Sequence, residues 1–113
     1  MITIYHNSRC SKSRGGLAYL EAKGVEFTIR HYLNDPLTFG ELKTLIAKTG
    51  LTPSDIVRKN EEYYKKYLKG KELADDELIR EMVKEPRLIE RPIVEKDDKA
   101  VLARPTENID QLF

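Results

Sequence analysis

The sequence predicts an α/β fold, a mixed β-sheet with helices packed on it, in the order β-α-β, a helical stretch, then β-β-α. Three observations predict it. Ile2 to His6 alternates and is β-branched, then gives way to a helical stretch and a second strand-like run, which makes a βαβ unit with parallel strands. Residues 38–86 carry helix-starting and helix-stopping signals without a strand between them. Residues 91–103 read as two short apolar strands about an Asp-Asp-Lys turn, the pattern of a hairpin.

The elements follow in order. Asn7 and Ser8 end the first strand. A helix begins near Ser11, runs to about Lys23 with Leu17 and Leu20 on one face, and meets Gly24 where a left-handed C-cap is wanted. Val25 to Leu33 reads as the second strand, and Asn34-Asp35-Pro36 as a turn. Thr38 and Glu41 form a capping box for a helix that presents Leu42, Leu45 and Ile46 and stops at Gly50. Thr52, Pro53 and Asp55 open a short helix carrying Ile56, Val57 and Arg58. Glu61 to Tyr67 is a charged, aromatic, helical piece that Gly70 breaks. Ala74 to Glu85 is amphipathic, with Leu78, Ile79, Met82 and Val83 inward and acidic residues at its start, and Pro86 ends it. Arg91 to Lys96 and Ala100 to Ala103 are the hairpin strands, and Thr106 to Leu112 a terminal helix.

At 113 residues the chain has the length of one domain, long enough for a hydrophobic core without staples. The near balance of charges, net +1, argues against a general polyanion binder, so any anion site must be local and no nucleic-acid partner is expected. No apolar run approaches membrane-spanning length, and the chain starts directly in a strand rather than a secretory signal. With a single cysteine, no internal disulfide forms, and the expected setting is a reducing cytoplasm.

That cysteine, Cys10, is the candidate nucleophile. Lone cysteines are commonly inert buried hydrophobes, but the flanking run Asn7-Ser8-Arg9-Cys10-Ser11-Lys12-Ser13-Arg14 is no core sequence. It places the thiol at a strand-to-helix turn, where backbone N–H groups and the helix dipole favour thiolate. Three arginines stand at element boundaries: Arg58 at the end of the short helix, and Arg91 and Arg104 in two Arg-Pro pairs flanking the hairpin. If the hairpin pairs with the first strand, Arg91 and Arg104 approach the end where Cys10 lies. Guanidinium forks suit a tetrahedral oxyanion. His6 and His31 have no metal-ligand spacing to Cys10, so no metal is expected.

Ile4-Tyr5-His6-Asn7 with Arg9 to Arg14, Gly24-Val25-Glu26, Tyr32-Leu33, Arg58-Lys59, Tyr64-Lys65, Leu88 to Val94 and Arg104-Pro105 together resemble the small arsenate reductases of the glutaredoxin-dependent (ArsC-like) type. They are most similar to the arsenate-reductase-like bacterial relatives of those enzymes, over nearly the whole chain. The resemblance implies a thioredoxin-like domain over residues 1–113 with a helical insertion at about 38–86. It implies Cys10 as nucleophile, His6 as support for the thiolate, and Arg58, Arg91 and Arg104 as oxyanion ligands. Asn7, Ser11, Ser13 and Pro92 are its supporting positions, with a cis bond before Pro92. It implies arsenate or a similar oxyanion as substrate, glutathione as reducing co-substrate, glutaredoxin as partner and no bound cofactor.

Two departures narrow the reading. Related transcription regulators carry Cys-x-x-Cys, but Ser13 occupies the second position here. The phosphate-loop class of arsenate reductases needs an arginine six residues after its cysteine, where this chain has Gly16. Two other classes remain: a thiol oxidoreductase acting on glutathione mixed disulfides, and a non-enzymatic binding protein of the transcription-regulator kind. The missing second cysteine and the retained arginines count against the latter.

Overall fold

The computed structural model describes residues 1–113. Four strands form one mixed sheet in the order β2-β1-β3-β4: β1 (Ile2–Tyr5), β2 (Thr28–Arg30), β3 (Ile93–Lys96) and β4 (Lys99–Leu102). β1 runs parallel to β2, with Thr3 opposite Thr28 and Tyr5 opposite Arg30. It runs antiparallel to β3, with Ile2 opposite Lys96 and Tyr5 opposite Ile93. The start of β3 therefore lies beside the end of β1, which brings the Arg91-Pro92 segment to the turn that carries Cys10. This is the thioredoxin-like arrangement that the sequence resemblance implied.

Side-chain alternation divides the core into two layers. Ile2, Ile4 and Val94 point to one face, where they pack with Leu20 of α1 (Ser11–Lys23), Ala103, Ile109 and Leu112. Ile93 and Ala100 point to the other face. There they meet Leu42, Leu45 and Ile46 of α2 (Phe39–Thr49), Ile56 of α3 (Pro53–Ile56), and Leu78, Ile79 and Met82 of α4 (Asp75–Lys84). The caps form as the sequence predicts. Thr38 Oγ1 accepts from the Glu41 N–H while Glu41 Oε1 accepts from the Thr38 N–H at 2.9 Å. Thr52 and Asp55 repeat the pattern. Gly24 and Gly50 end α1 and α2 in left-handed conformation. No helix is long and apolar enough to cross a membrane.

The structure corrects the predicted elements in four places. β2 is only Thr28–Arg30, not Val25 to Leu33. As an edge strand it pairs only along β1, and beyond Arg30 the chain turns, with the Asn34 and Asp35 N–H groups bonded to the His31 carbonyl. Tyr32 is thereby buried in the core instead of lying along a strand. The aromatic piece at Glu61 to Tyr67 forms a π-helical turn, Tyr64–Leu68, closed by the Lys69 N–H on the Tyr64 carbonyl at 2.8 Å. The terminal helix, Thr106–Leu112, is 3₁₀; its buried residues Ile109 and Leu112 are spaced three apart, the spacing that aligns on one 3₁₀ face. Arg58 lies two residues past the end of α3, not within it.

Candidate active site

Cys10 is the N-cap residue of α1, with extended backbone (φ −98°, ψ 123°). The turn before it is held by side-chain and backbone bonds. The Arg9 N–H donates to Asn7 Oδ1 and the Cys10 N–H to the Asn7 carbonyl, each at 3.0 Å. Asn7 thus shapes the loop, as Asn does in turns of this kind. Sγ makes no formed cap hydrogen bond, and the thiol is half-buried. Burial pushes its pKa up, but the Ser13 N–H, the Arg91 guanidinium beside it and the Lys12 N–H outweigh burial, and the net shift is downward from the ordinary value of 9.0. These N–H groups are the free donors of the first helical turn, as expected for a thiol at an N-cap.

Ser13 is fully buried and holds the loop to the strand. Its Oγ accepts from the Asn7 N–H at 3.0 Å and lies 2.7 Å from His6 Nδ1. His6 is 4% exposed, and its pKa is lowered, first by burial and then by the His31 imidazole. It is therefore neutral near pH 7. It forms no hydrogen bond with Cys10; its contact with the thiol's environment runs through Ser13. His31, which shows no partner in the sequence, places its ring edge-on to His6 at 5.7 Å. Ser11 opens α1 and lines a groove of about 420 Å³ with Lys12, Gly15, Arg104 and Thr106. The largest groove, about 1050 Å³, lies at the other end of β1, around Met1, Val25, Phe27 and Phe113, away from the thiol.

Two backbone links assemble the arginines. Ala103 N–H donates to the Pro92 carbonyl at 2.9 Å, which ties the Arg104 end of the hairpin to the Arg91 end. Both Arg-Pro bonds are cis; the resemblance implied the one before Pro92, while the one before Pro105 was not anticipated. Arg58 reaches the site from residues 38–86 through an isolated antiparallel bridge between Val57 and Ile89. There the Arg58 N–H bonds the Leu88 carbonyl at 2.7 Å and the Glu90 N–H bonds the Ile56 carbonyl at 2.8 Å. Arg58, Arg91 and Arg104 are thus placed on neighbouring segments at the Cys10 end of the sheet.

Sequence reasoning missed three residues here. Glu90 Oε1 lies 2.7 Å from Arg104 Nη1 and 3.5 Å from Arg58 Nε, and Glu61 Oε2 lies 2.8 Å from Arg58 Nη1. Tyr32 is 1% exposed, and its hydroxyl has no hydrogen-bond partner. Its pKa is pushed up to about 12, mainly by burial, with Arg91 opposing and Cys10 reinforcing. Glu90 stands directly before Arg91 in the sequence, and that adjacency was the available signal; nothing local marks Tyr32 or Glu61. Arg91 has no carboxylate partner, and its Nε is buried without a hydrogen bond. No group of three or more His, Cys, Asp or Glu side chains is placed to hold a metal ion.

The ArsC family model matches residues 5–112. The arsenate reductase of Neisseria meningitidis (serogroup A / serotype 4A, strain DSM 15465 / Z2491) is 40% identical over 114 residues, covering 99% of this chain and 97% of that protein. The arsenate reductase of Escherichia coli K12 is 44% identical over 107 residues, covering 94% of this chain and 76% of that one. A solved structure described as arsenate reductase from Vibrio cholerae superposes with a TM-score of 0.94 at 39% identity, covering 99% of this chain and 97% of that chain.

Proposed function

The chain belongs to the ArsC family, and from that premise we propose that it is an arsenate reductase whose nucleophile is Cys10. The observation that carries this reading is a half-buried thiol at a helix N-cap, shifted toward thiolate, beside a guanidinium that no carboxylate occupies. The thiolate attacks arsenic, an S–As bond forms and an As–O bond breaks, the departing arsenate hydroxyl taking a proton from solvent and leaving as water. Arg58, Arg91 and Arg104 hold the remaining oxygens while charge moves through them. Arginine suits this task because it stays protonated and its planar fork makes paired bonds. Ser13 and neutral His6 keep the loop in the geometry that aims the Lys12 and Ser13 N–H groups at sulfur.

The chain has no second cysteine to resolve the adduct, so an outside thiol must do so. We assign that part to glutathione. Its sulfur joins Cys10 in a mixed disulfide as arsenic takes up two electrons and leaves as arsenite. Glutaredoxin with further glutathione then frees Cys10. Arsenate-dependent NADPH oxidation, coupled through glutathione, glutaredoxin and glutathione reductase, tests this. Turnover is expected with the natural chain and none with Cys10→Ser; no turnover with either refutes it. A second reading, reduction of glutathione mixed disulfides, is favoured by the groove of Ser11, Lys12 and Arg104, whose cations could hold glutathione carboxylates. Faster turnover on a glutathione mixed disulfide than on arsenate would decide for it.

A further inference from the structure

The three arginines are not equally free. Glu90 Oε1 sits between Arg104 Nη1 at 2.7 Å and Arg58 Nε at 3.5 Å, whereas Arg91 pairs with no carboxylate. The carboxylate and both guanidiniums are partly accessible, with side-chain exposures of 23%, 19% and 35% for Glu90, Arg58 and Arg104. The backbone of Glu90 is pinned by its N–H on the Ile56 carbonyl, so the carboxylate can leave by side-chain rotation alone.

We propose that Glu90 is an internal counter-ion that occupies the oxyanion's place between Arg58 and Arg104, and that an incoming oxyanion must displace it to bind. The proposal rests on the oxyanion reading of the three arginines. A carboxylate and a tetrahedral oxyanion offer a guanidinium the same paired oxygens. A free small carboxylate offers Arg58 and Arg104 no more than the tethered Glu90 does, and it pays the entropy of association besides. A tetrahedral dianion differs in two respects: it carries more charge, and it has further oxygens for Arg91, which Glu90 leaves open. Displacement therefore selects ligands that engage all three arginines beside Cys10 over carboxylates that engage two. Glu90 also keeps the free site from holding three uncompensated cations, with Glu61 balancing Arg58 from the other side.

The test is protection of Cys10 from iodoacetamide by arsenate, phosphate and sulfate, in the full chain and in Glu90→Gln. Comparing the half-protecting concentration within each protein removes any change in intrinsic thiol reactivity. Glu90→Gln should lower that concentration by about tenfold or more, the scale of one charge-assisted hydrogen bond no longer competing. Glu90→Asp, which keeps the charge, should stay closer to the natural chain. An unchanged or raised concentration in Glu90→Gln makes Glu90 an orienting strut and overturns the proposal while leaving the oxyanion site standing. Absence of protection by any oxyanion in either protein removes the oxyanion site and the proposal with it. A measurement on the natural chain stands independently of how well the variants fold. On sulfate titration, the side-chain carboxylate resonance of Glu90 should move with the same midpoint as protection; a resonance that stays fixed at saturating sulfate also overturns the proposal.

Discussion

Adjacent glycines in α1 should respond differently to alanine, Gly15 with a gain and Gly16 without one. Gly15 and Gly16 both lie in the helix interior, where replacing glycine by alanine gains about 1 kcal/mol from backbone entropy and propensity. At Gly15 a Cβ would meet only Thr106 Cγ2 at 3.8 Å, an ordinary contact, so Gly15→Ala should keep that gain. At Gly16 a Cβ would fall 2.7 Å from Pro92 Cγ, 3.6 Å from Pro92 Cβ and 3.8 Å from Ile4 Cδ1. Pro92 is buried and its ring has no rotamer to escape into, so helix and loop must separate. Overpacking of this kind costs about 1–3 kcal/mol, which leaves Gly16→Ala between neutral and about 2 kcal/mol destabilised. The two variants should therefore differ by about 1–3 kcal/mol, readable from urea midpoints at constant slope. The shift has a functional signature, because Pro92 carries Arg91. Moving Arg91 from the thiol should raise the pH midpoint of Cys10 alkylation in Gly16→Ala and leave it unchanged in Gly15→Ala. Equal stabilities with equal alkylation midpoints would refute the claim that this contact sets the position of Arg91.

Three further outcomes are expected. Arg91→Lys and Arg104→Lys keep charge but lose the fork; each should reduce arsenate turnover by about tenfold or more. Stability should barely change, and full activity in both would place the oxyanion elsewhere. Only Arg91→Lys should also raise the alkylation midpoint of Cys10, since the Arg91 guanidinium helps hold that thiol below its ordinary value. Tyr32→Phe removes a buried hydroxyl that has no partner, so stability should hold or rise by about 1 kcal/mol; a loss of that size would mean that the hydroxyl is bonded. Glu41 accounts for part of the acid sensitivity. The Arg30 guanidinium, then the Thr38 N–H, lower its pKa from 4.5 to about 2. A depressed carboxylate contributes stability that is full above its unfolded value and is lost as pH falls through its folded one. The stability difference between the natural chain and Glu41→Gln should therefore shrink from pH 4.5 toward pH 2. The group is exposed, so the effect is small and screened by salt; a difference independent of pH would refute the assignment.

The sequence by itself determined what depends on near neighbours along the chain. Thr38 with Glu41, Thr52 with Asp55, and Gly24 and Gly50 set the helix ends because a cap bonds within one turn of its own residue. The period of two in Ile2 to His6 and the Asp97-Asp98-Lys99 turn made β1 and the hairpin strands legible to within two residues, and Cys10 at a helix N-terminus followed from where α1 starts. The thioredoxin-like class and the assignment of Arg58, Arg91 and Arg104 to one site came from the family resemblance and not from any periodicity. Tertiary structure alone decided the rest. β2 stops at Arg30, where the chain turns and Tyr32 enters the core, although Val25 to Leu33 reads as strand throughout. The last helix is 3₁₀, and its buried Ile109 and Leu112 both reach the layer under β1. Glu90 settles between Arg58 and Arg104, and Ser13 against His6, through pairings across space. Such pairs join groups whose distance in space is fixed only once the sheet and its two core layers exist, so they leave no repeating mark in the sequence.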